Sequence, residues 1–153
     1  MRRANCCTYS IAVRPERRIL IVDDDDAIRA LLVTVMRRRG FHADTARNGL
    51  EALEQLNLRR YALVVLDLMM PQMNGYEVLE QLASFPPATR PLVLVLTAGL
   101  EPRPIDAKLV IGLMHKPFDV ELLMDTISGC ISSFEATAQA APDTGISPSE
   151  RPN

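Results

Sequence analysis

The chain has 153 residues, of which 48% are hydrophobic and 24% charged, a composition that indicates one globular domain and excludes wholesale disorder. The formal net charge of −2 lacks the basic excess of a nucleic-acid-binding domain, so we expect no nucleic-acid partner. No apolar run approaches the roughly 18 residues of a membrane span or forms a signal peptide, which predicts a cytoplasmic protein without membrane contact.

The chain divides into three parts by composition. Residues 1–17 are rich in arginine and show no periodicity, which predicts a flexible arm. Residues 18–134 alternate strand and helix patterns and form the predicted domain. Residues 135–153 are rich in Ala, Pro, Ser and Thr and hold too few large apolar groups to offset the entropy of ordering, so a disordered tail is predicted.

Five segments have strand character. Continuous apolar runs at 19–22, 63–66 and 92–96 are typical of strands covered on both faces of a parallel sheet. Segments 41–46 and 109–114 mix polar residues or glycine with apolar ones and suit the edges of that sheet.

Helix patterns separate the strands. The first follows a possible cap at Asp25 or Asp26 and ends in an Arg-rich stretch before Gly40. Further helices are predicted over 50–58 and 76–85 and after Asp119, whereas prolines between the fourth and fifth strands leave a fourth helix that is short or irregular. Strands joined by helices in this way predict right-handed crossovers and a three-layer α/β sandwich, with function at the carboxyl ends of the strands.

Polar residues follow four of the predicted strands. They are Asp23-Asp24 after the first, Asp67 after the third, Thr97-Ala98 after the fourth and Lys116-Pro117 after the fifth. Carboxylates that converge repel one another unless a cation joins them, and hard oxygen ligands suit Mg2+. A lysine beside them can pair with a phosphoryl oxygen, so a metal and an anion are both implied.

These motifs, together with the stretch Leu68-Met69-Met70-Pro71-Gln72-Met73-Asn74-Gly75, resemble the receiver domain of bacterial two-component response regulators over roughly residues 18–134. The resemblance implies a flavodoxin-like (βα)5 fold with a parallel five-stranded sheet in the order 2-1-3-4-5. It implies that Asp67 accepts a phosphoryl group from a sensor histidine kinase or a histidine phosphotransfer protein.

The resemblance also assigns roles around Asp67. It implies that Mg2+ is held by three carboxylates and one backbone carbonyl, from Asp23, Asp24, Asp67 and Met69. It implies that the phosphoryl oxygens are met by Lys116, the Thr97 hydroxyl and the Ala98 backbone N–H, and that the Lys116-Pro117 bond is cis. Such a domain catalyses only its own phosphorylation and dephosphorylation and is otherwise not an enzyme.

Two features depart from the family pattern. Leu113 stands where an aromatic switch residue is common, and the segment between Thr97 and Lys116 is short. Because the tail is too short for an output domain, we expect a stand-alone, chemotaxis-regulator-like protein that signals through contacts with an unidentified target protein. The alternative that stays open is a pseudo-receiver, which binds partners without phosphorylation.

Overall fold

The computed structural model describes residues 17–99 and 103–139. The strands in this part of the chain are β1 (Arg18–Val22), β2 (His42–Ala46), β3 (Leu63–Asp67), β4 (Leu92–Thr97) and β5 (Gly112–His115). The helices are α1 (Asp26–Arg38), α2 (Gly49–Leu58), α3 (Gly75–Ala83) and α4 (Val120–Gln139), with a 3-10 turn at Pro87–Thr89.

All five strands lie in one parallel sheet in the order β2-β1-β3-β4-β5. The predicted flavodoxin-like architecture and strand order are therefore confirmed. The apolar runs became the central strands because both faces of β1, β3 and β4 are covered. The two mixed segments became the edges.

Helices cover the sheet on both sides. One core cluster joins a face of the sheet to α2 and α3 through residues such as Leu56 and Leu82, and the other joins the opposite face to α1 and α4 through Leu32 and Ile127. Successive side chains of β1, β3 and β4 enter the two clusters alternately, as the two-residue period of a strand requires. The result is the three-layer sandwich, with all carboxyl ends of the strands at one edge.

The fourth crossover differs from the others. Its described residues, 103–111, contain a turn at 107–109 and no helix, and β5 begins at Gly112, three residues later than the apolar pattern predicted. Pro104 removes a backbone donor there. Ile105, Leu109 and Val110 pack against the core and take the place of a helix on this part of the sheet.

The last helix is longer than predicted. It continues past residue 134 to Gln139 and so includes the beginning of the predicted tail. Alanines favour helix there, and the carboxylate of Glu135 accepts two hydrogen bonds from the Arg17 guanidinium, both at 3.1 Å.

Two predicted segments fall outside the described residues, the arm up to residue 16 and the tail from residue 140. Cys130, on α4, is a free thiol. In the part of the chain that the structure covers, no helix has the length and hydropathy needed to cross a membrane.

Candidate functional site

Residues at the ends of three strands meet at the carboxyl edge of the sheet. Asp23 follows β1, Asp67 ends β3 and Lys116 follows β5, although 93 and 49 positions separate Lys116 from the two aspartates in sequence. The Lys116-Pro117 peptide bond is cis, as the resemblance implied. The backbone N–H of Lys116 donates to the Thr97 carbonyl at 2.7 Å and so attaches this residue to the end of β4.

The Lys116 ammonium bridges two buried carboxylates. Its Nζ lies 2.7 Å from Oδ2 of Asp23 and 3.1 Å from Oδ2 of Asp67. The two aspartates are only 1% and 4% exposed, whereas the lysine is half-buried and reaches them from the rim of the site. Charge-assisted bonds of this kind compensate part of the cost of burying two negative charges.

The surroundings of Asp67 and Lys116 raise the pKa of both side chains. Burial raises the pKa of Asp67, and the neighbouring charge of Asp23 raises it further, against the lowering effect of hydrogen bonds from the Met69 amide and from Lys116. Burial alone would lower the pKa of Lys116, but its hydrogen bonds to Asp23 and Asp67 outweigh that effect and raise it. The negative charge of Asp67 is thus incompletely compensated by its hydrogen-bond donors.

Asp24 brings a third carboxylate to the same place. One oxygen from each of Asp23, Asp24 and Asp67 lies within 4.8 Å of the others, and no other group of three potential ligands forms among the described residues. One ammonium cannot neutralise three carboxylates. The exposed Asp24 leaves a solvent-facing side on which a hydrated cation keeps its waters, so the donor set fits Mg2+.

The acidic segment is held rigidly. The backbone N–H of Asp23 donates to the Ala46 carbonyl at 3.2 Å, and its Oδ1 accepts from the Asp25 N–H at 2.9 Å. Asp25 in turn caps α1, because its carboxylate accepts from the first helical N–H groups. This confirms one of the two predicted caps and explains why Asp25 belongs to the helix rather than to the carboxylate cluster.

The loop after β3 approaches Asp67 closely. The Met69 N–H donates to Oδ1 of Asp67 at 3.1 Å, while the Met69 side chain is 57% exposed. Gly75 begins α3 against the backbone of the same strand end, where a Cβ would lie 2.4 Å from the Asp67 carbonyl oxygen. Asn74 and Glu77 close this helix start with a reciprocal capping box.

The fourth strand contributes the remaining predicted residues. Thr97 is 1% exposed and lies one position past Leu96, which pairs with Asp67 across the sheet. Its hydroxyl accepts a hydrogen bond from the Gly99 N–H at 3.3 Å. Ala98 follows at the exposed edge. The structure therefore brings Asp23, Asp24, Asp67 and Lys116 into one cluster, with Thr97 and Ala98 beside it.

Sequence reasoning missed one buried charged residue, Arg29, whose guanidinium donates to the Asp23 carbonyl at 2.5 Å. A signal was present. Arg29 lies three positions before Leu32 and seven before Met36, and these three positions form the buried face of α1. Leu31, beside this face in sequence, is 47% exposed and lies outside it.

Solved structures of other proteins are similar to this chain in fold and in sequence. A receiver domain of a response regulator (CheY-like) from Methanospirillum hungatei has a TM-score of 0.70 and 26% identity, over 78% of this chain and 97% of that one. The response regulator TrrA of Thermotoga maritima, solved in complex with Mg2+ and BeF, has a TM-score of 0.65 and 32% identity, over 74% and 97% of the two chains.

Curated relatives match over shorter stretches. A transcriptional regulatory protein, the CpxR homolog of Haemophilus influenzae, is 49% identical over 65 residues, which are 42% of this chain and 28% of that protein. The transcriptional regulatory protein SrrA of Staphylococcus aureus is 40% identical over 83 residues, which are 54% and 34%. The chain thus spans about a third of the length of these relatives.

The model of the response regulator receiver domain matches residues 19–128, which include the carboxylate cluster and the whole sheet apart from Arg18. Together with the strand order and the residues gathered at its carboxyl edge, this match shows that the chain belongs to the receiver domains of two-component response regulators.

Proposed function

We propose that this chain accepts a phosphoryl group on Asp67 from the phosphohistidine of a sensor kinase or a histidine phosphotransfer protein, in a reaction that requires Mg2+. The observation that carries the proposal is the Lys116 ammonium, which lies 3.1 Å from Oδ2 of Asp67 and 2.7 Å from Oδ2 of Asp23 beside a third carboxylate. A cation in that position can pair with the Asp67 carboxylate before the reaction and with a phosphoryl oxygen after it.

The reaction balances without a general base. An oxygen of the Asp67 carboxylate forms a bond to phosphorus while the bond between phosphorus and the donor imidazole nitrogen breaks. The electron pair stays on the imidazole. Since the nucleophile is already ionised, the protein contributes position and electrostatic stabilisation rather than proton transfer.

The residues around Asp67 have separate tasks in this proposal. Asp23, Asp24, Asp67 and the Met69 carbonyl would hold Mg2+, which would supply positive charge to the site. Lys116 pairs with one of those oxygens. The Thr97 hydroxyl leaves the Gly99 amide to reach another, and the Ala98 N–H completes the set, with a methyl side chain that leaves room for the group.

The output is proposed to be a change in protein contacts that depends on the phosphorylation state. A stand-alone regulator without a nucleic-acid partner stays a prediction, because the relatives named above are transcriptional regulators that the chain matches over about a third of their length. The reaction occurs at the protein's own carboxylate, so no other substrate is turned over.

A labelling experiment tests the proposal. Wild type is mixed with a small-molecule phosphodonor or a phosphorylated histidine kinase, with and without Mg2+, and intact mass is measured. We expect one phosphoryl group that is labile in acid and in base, none in Asp67→Asn, and undiminished labelling in the control Asp125→Asn, since Asp125 is exposed on α4 and pairs with Arg39. Full labelling of Asp67→Asn would refute the assignment, and an unlabelled wild type would favour the pseudo-receiver.

A further inference from the structure

Four polar or charged residues are buried in the described part of the chain: Asp23, Arg29, Asp67 and Thr97. Asp23 and Asp67 belong to the carboxylate cluster and Thr97 lies beside it, and each has a role in the reaction proposed above. The fourth, Arg29, is 8% exposed and has none. Burying a guanidinium is costly unless its donors are used, so its partners indicate its role.

Arg29 joins the start of α1 to the end of β1. Its Nη1 donates to the backbone carbonyl of Asp23 at 2.5 Å, and its Nη2 donates to the carboxylate of Asp26 in the first turn of the helix. The planar guanidinium can hold both acceptors at once because its donors are fixed relative to one another.

The hydrogen bond from Arg29 to the Asp23 carbonyl adds to the bonds that hold the other polar atoms of Asp23. The backbone N–H of this residue is bound to Ala46, Oδ1 accepts from Asp25, and Oδ2 accepts from Lys116. The carbonyl oxygen is the remaining polar atom, and Arg29 occupies it. Every polar atom of Asp23 thus has a partner before a metal arrives.

We infer that Arg29 is a positioning residue for the Mg2+ site: through the Asp23 carbonyl it keeps the chain between β1 and α1 in the course that directs Asp23 and Asp24 toward Asp67. The inference rests on the proposed function, in that these carboxylates bind Mg2+. Without Arg29 the segment gains freedom, which the metal must then remove at the expense of its affinity.

A positioning role for Arg29 and a purely electrostatic one predict opposite changes in Mg2+ affinity when its charge is removed. A cation this close to a metal site repels Mg2+, so its removal would strengthen Mg2+ binding if charge alone mattered. The positioning role predicts the opposite, weaker binding on removal. The two explanations therefore differ in direction and not only in size.

The experiment measures the Mg2+ dissociation constant by calorimetry at constant ionic strength in the full chain, without a phosphodonor. We expect about tenfold weaker binding in Arg29→Met, as for other residues that support metal ligands, and about threefold in Arg29→Lys, which keeps the charge but loses the fork. Arg38→Met, on the exposed end of the same helix, and Asp26→Asn should stay within about twofold. Faster amide hydrogen exchange of Asp25 in metal-free Arg29→Met should accompany the loss.

Unchanged or tighter Mg2+ binding in Arg29→Met overturns the inference, as does an equal loss in Asp26→Asn, because the Asp23 carbonyl would then not be responsible. If Arg29→Met does not fold, Arg29→Lys decides: unchanged affinity overturns the inference, and weaker affinity supports it. A wild type that binds Mg2+ but is not phosphorylated refutes the proposed function and leaves this inference intact.

Discussion

Two glycine-to-alanine substitutions should change stability in opposite directions. At Gly75 an added Cβ would lie 2.4 Å from the Asp67 carbonyl oxygen and 2.7 Å from the Leu68 Cα. Both are backbone atoms, which cannot move aside as the end of a flexible side chain can. Ordinary contacts are 3.4–4 Å, so β3 and α3 must separate. We expect Gly75→Ala to lower the free energy of unfolding by about 2 kcal/mol, which is the cost of overpacking less the reduced entropy of the unfolded chain.

At Gly129, in the interior of α4, a Cβ meets nothing within 4 Å. Alanine there should raise the free energy of unfolding by about 0.5–1 kcal/mol, since it stabilises the helix at no packing cost. In thermal melts of a domain of this size the two changes correspond to roughly 8 °C down and 2–4 °C up.

Urea unfolding followed by circular dichroism measures both free energies. Because the clash at Gly75 displaces the backbone of Asp67 itself, Gly75→Ala should also slow phosphorylation, whereas Gly129→Ala should leave its rate unchanged. A Gly75→Ala protein as stable as wild type would refute the reasoning, because it would mean that the contact between α3 and the end of β3 relaxes without cost.

Three further outcomes follow from the site. Mg2+ at ten times its dissociation constant should stabilise wild type by about 1.4 kcal/mol in thermal melts at constant ionic strength. Asp24→Ala should remove most of this stabilisation, whereas the control Glu54→Gln, at an exposed position, should keep it. Coincident melts of wild type with and without Mg2+ would contradict the metal site. In Mg2+-free buffer the raised pKa of Asp67 means that the folded state loses stability as pH rises from below the ordinary value of 3.8 through the raised one. Asp67→Asn should therefore be more stable than wild type at neutral pH, and this advantage should vanish in urea titrations below pH 3.8. The phosphorylated protein should lose its phosphate slowly, since neither Met69 nor Gly99 can orient a water, and Met69→Asn and Gly99→Glu should hydrolyse faster in a phosphate-release assay; no acceleration in either would refute the lifetime argument.

The local sequence pattern predicted the central strands, the place where the site residues meet and the start of the first helix. Continuous apolar runs predicted three central strands because burial on both faces requires apolar residues at every position. The position of Asp23, Asp67 and Lys116 after three predicted strands indicated that they meet, because parallel strands end at a common edge. A cap at Asp25 or Asp26 was likewise predicted, since helix starts use a short carboxylate side chain, and the structure selects Asp25.

Other features depend on contacts between distant segments and were decided by the tertiary structure. Arg29 has the helical spacing of the buried residues Leu32 and Met36, but its acceptor, the Asp23 carbonyl at the end of β1, is known only from the tertiary structure. The extension of α4 to Gln139 is accompanied by the bond from Arg17, far away in sequence, to Glu135. Prolines predicted a weak fourth helix, but only the packing of Ile105 and Leu109 shows how the sheet is covered without one, because burial depends on which surfaces the folded chain brings together.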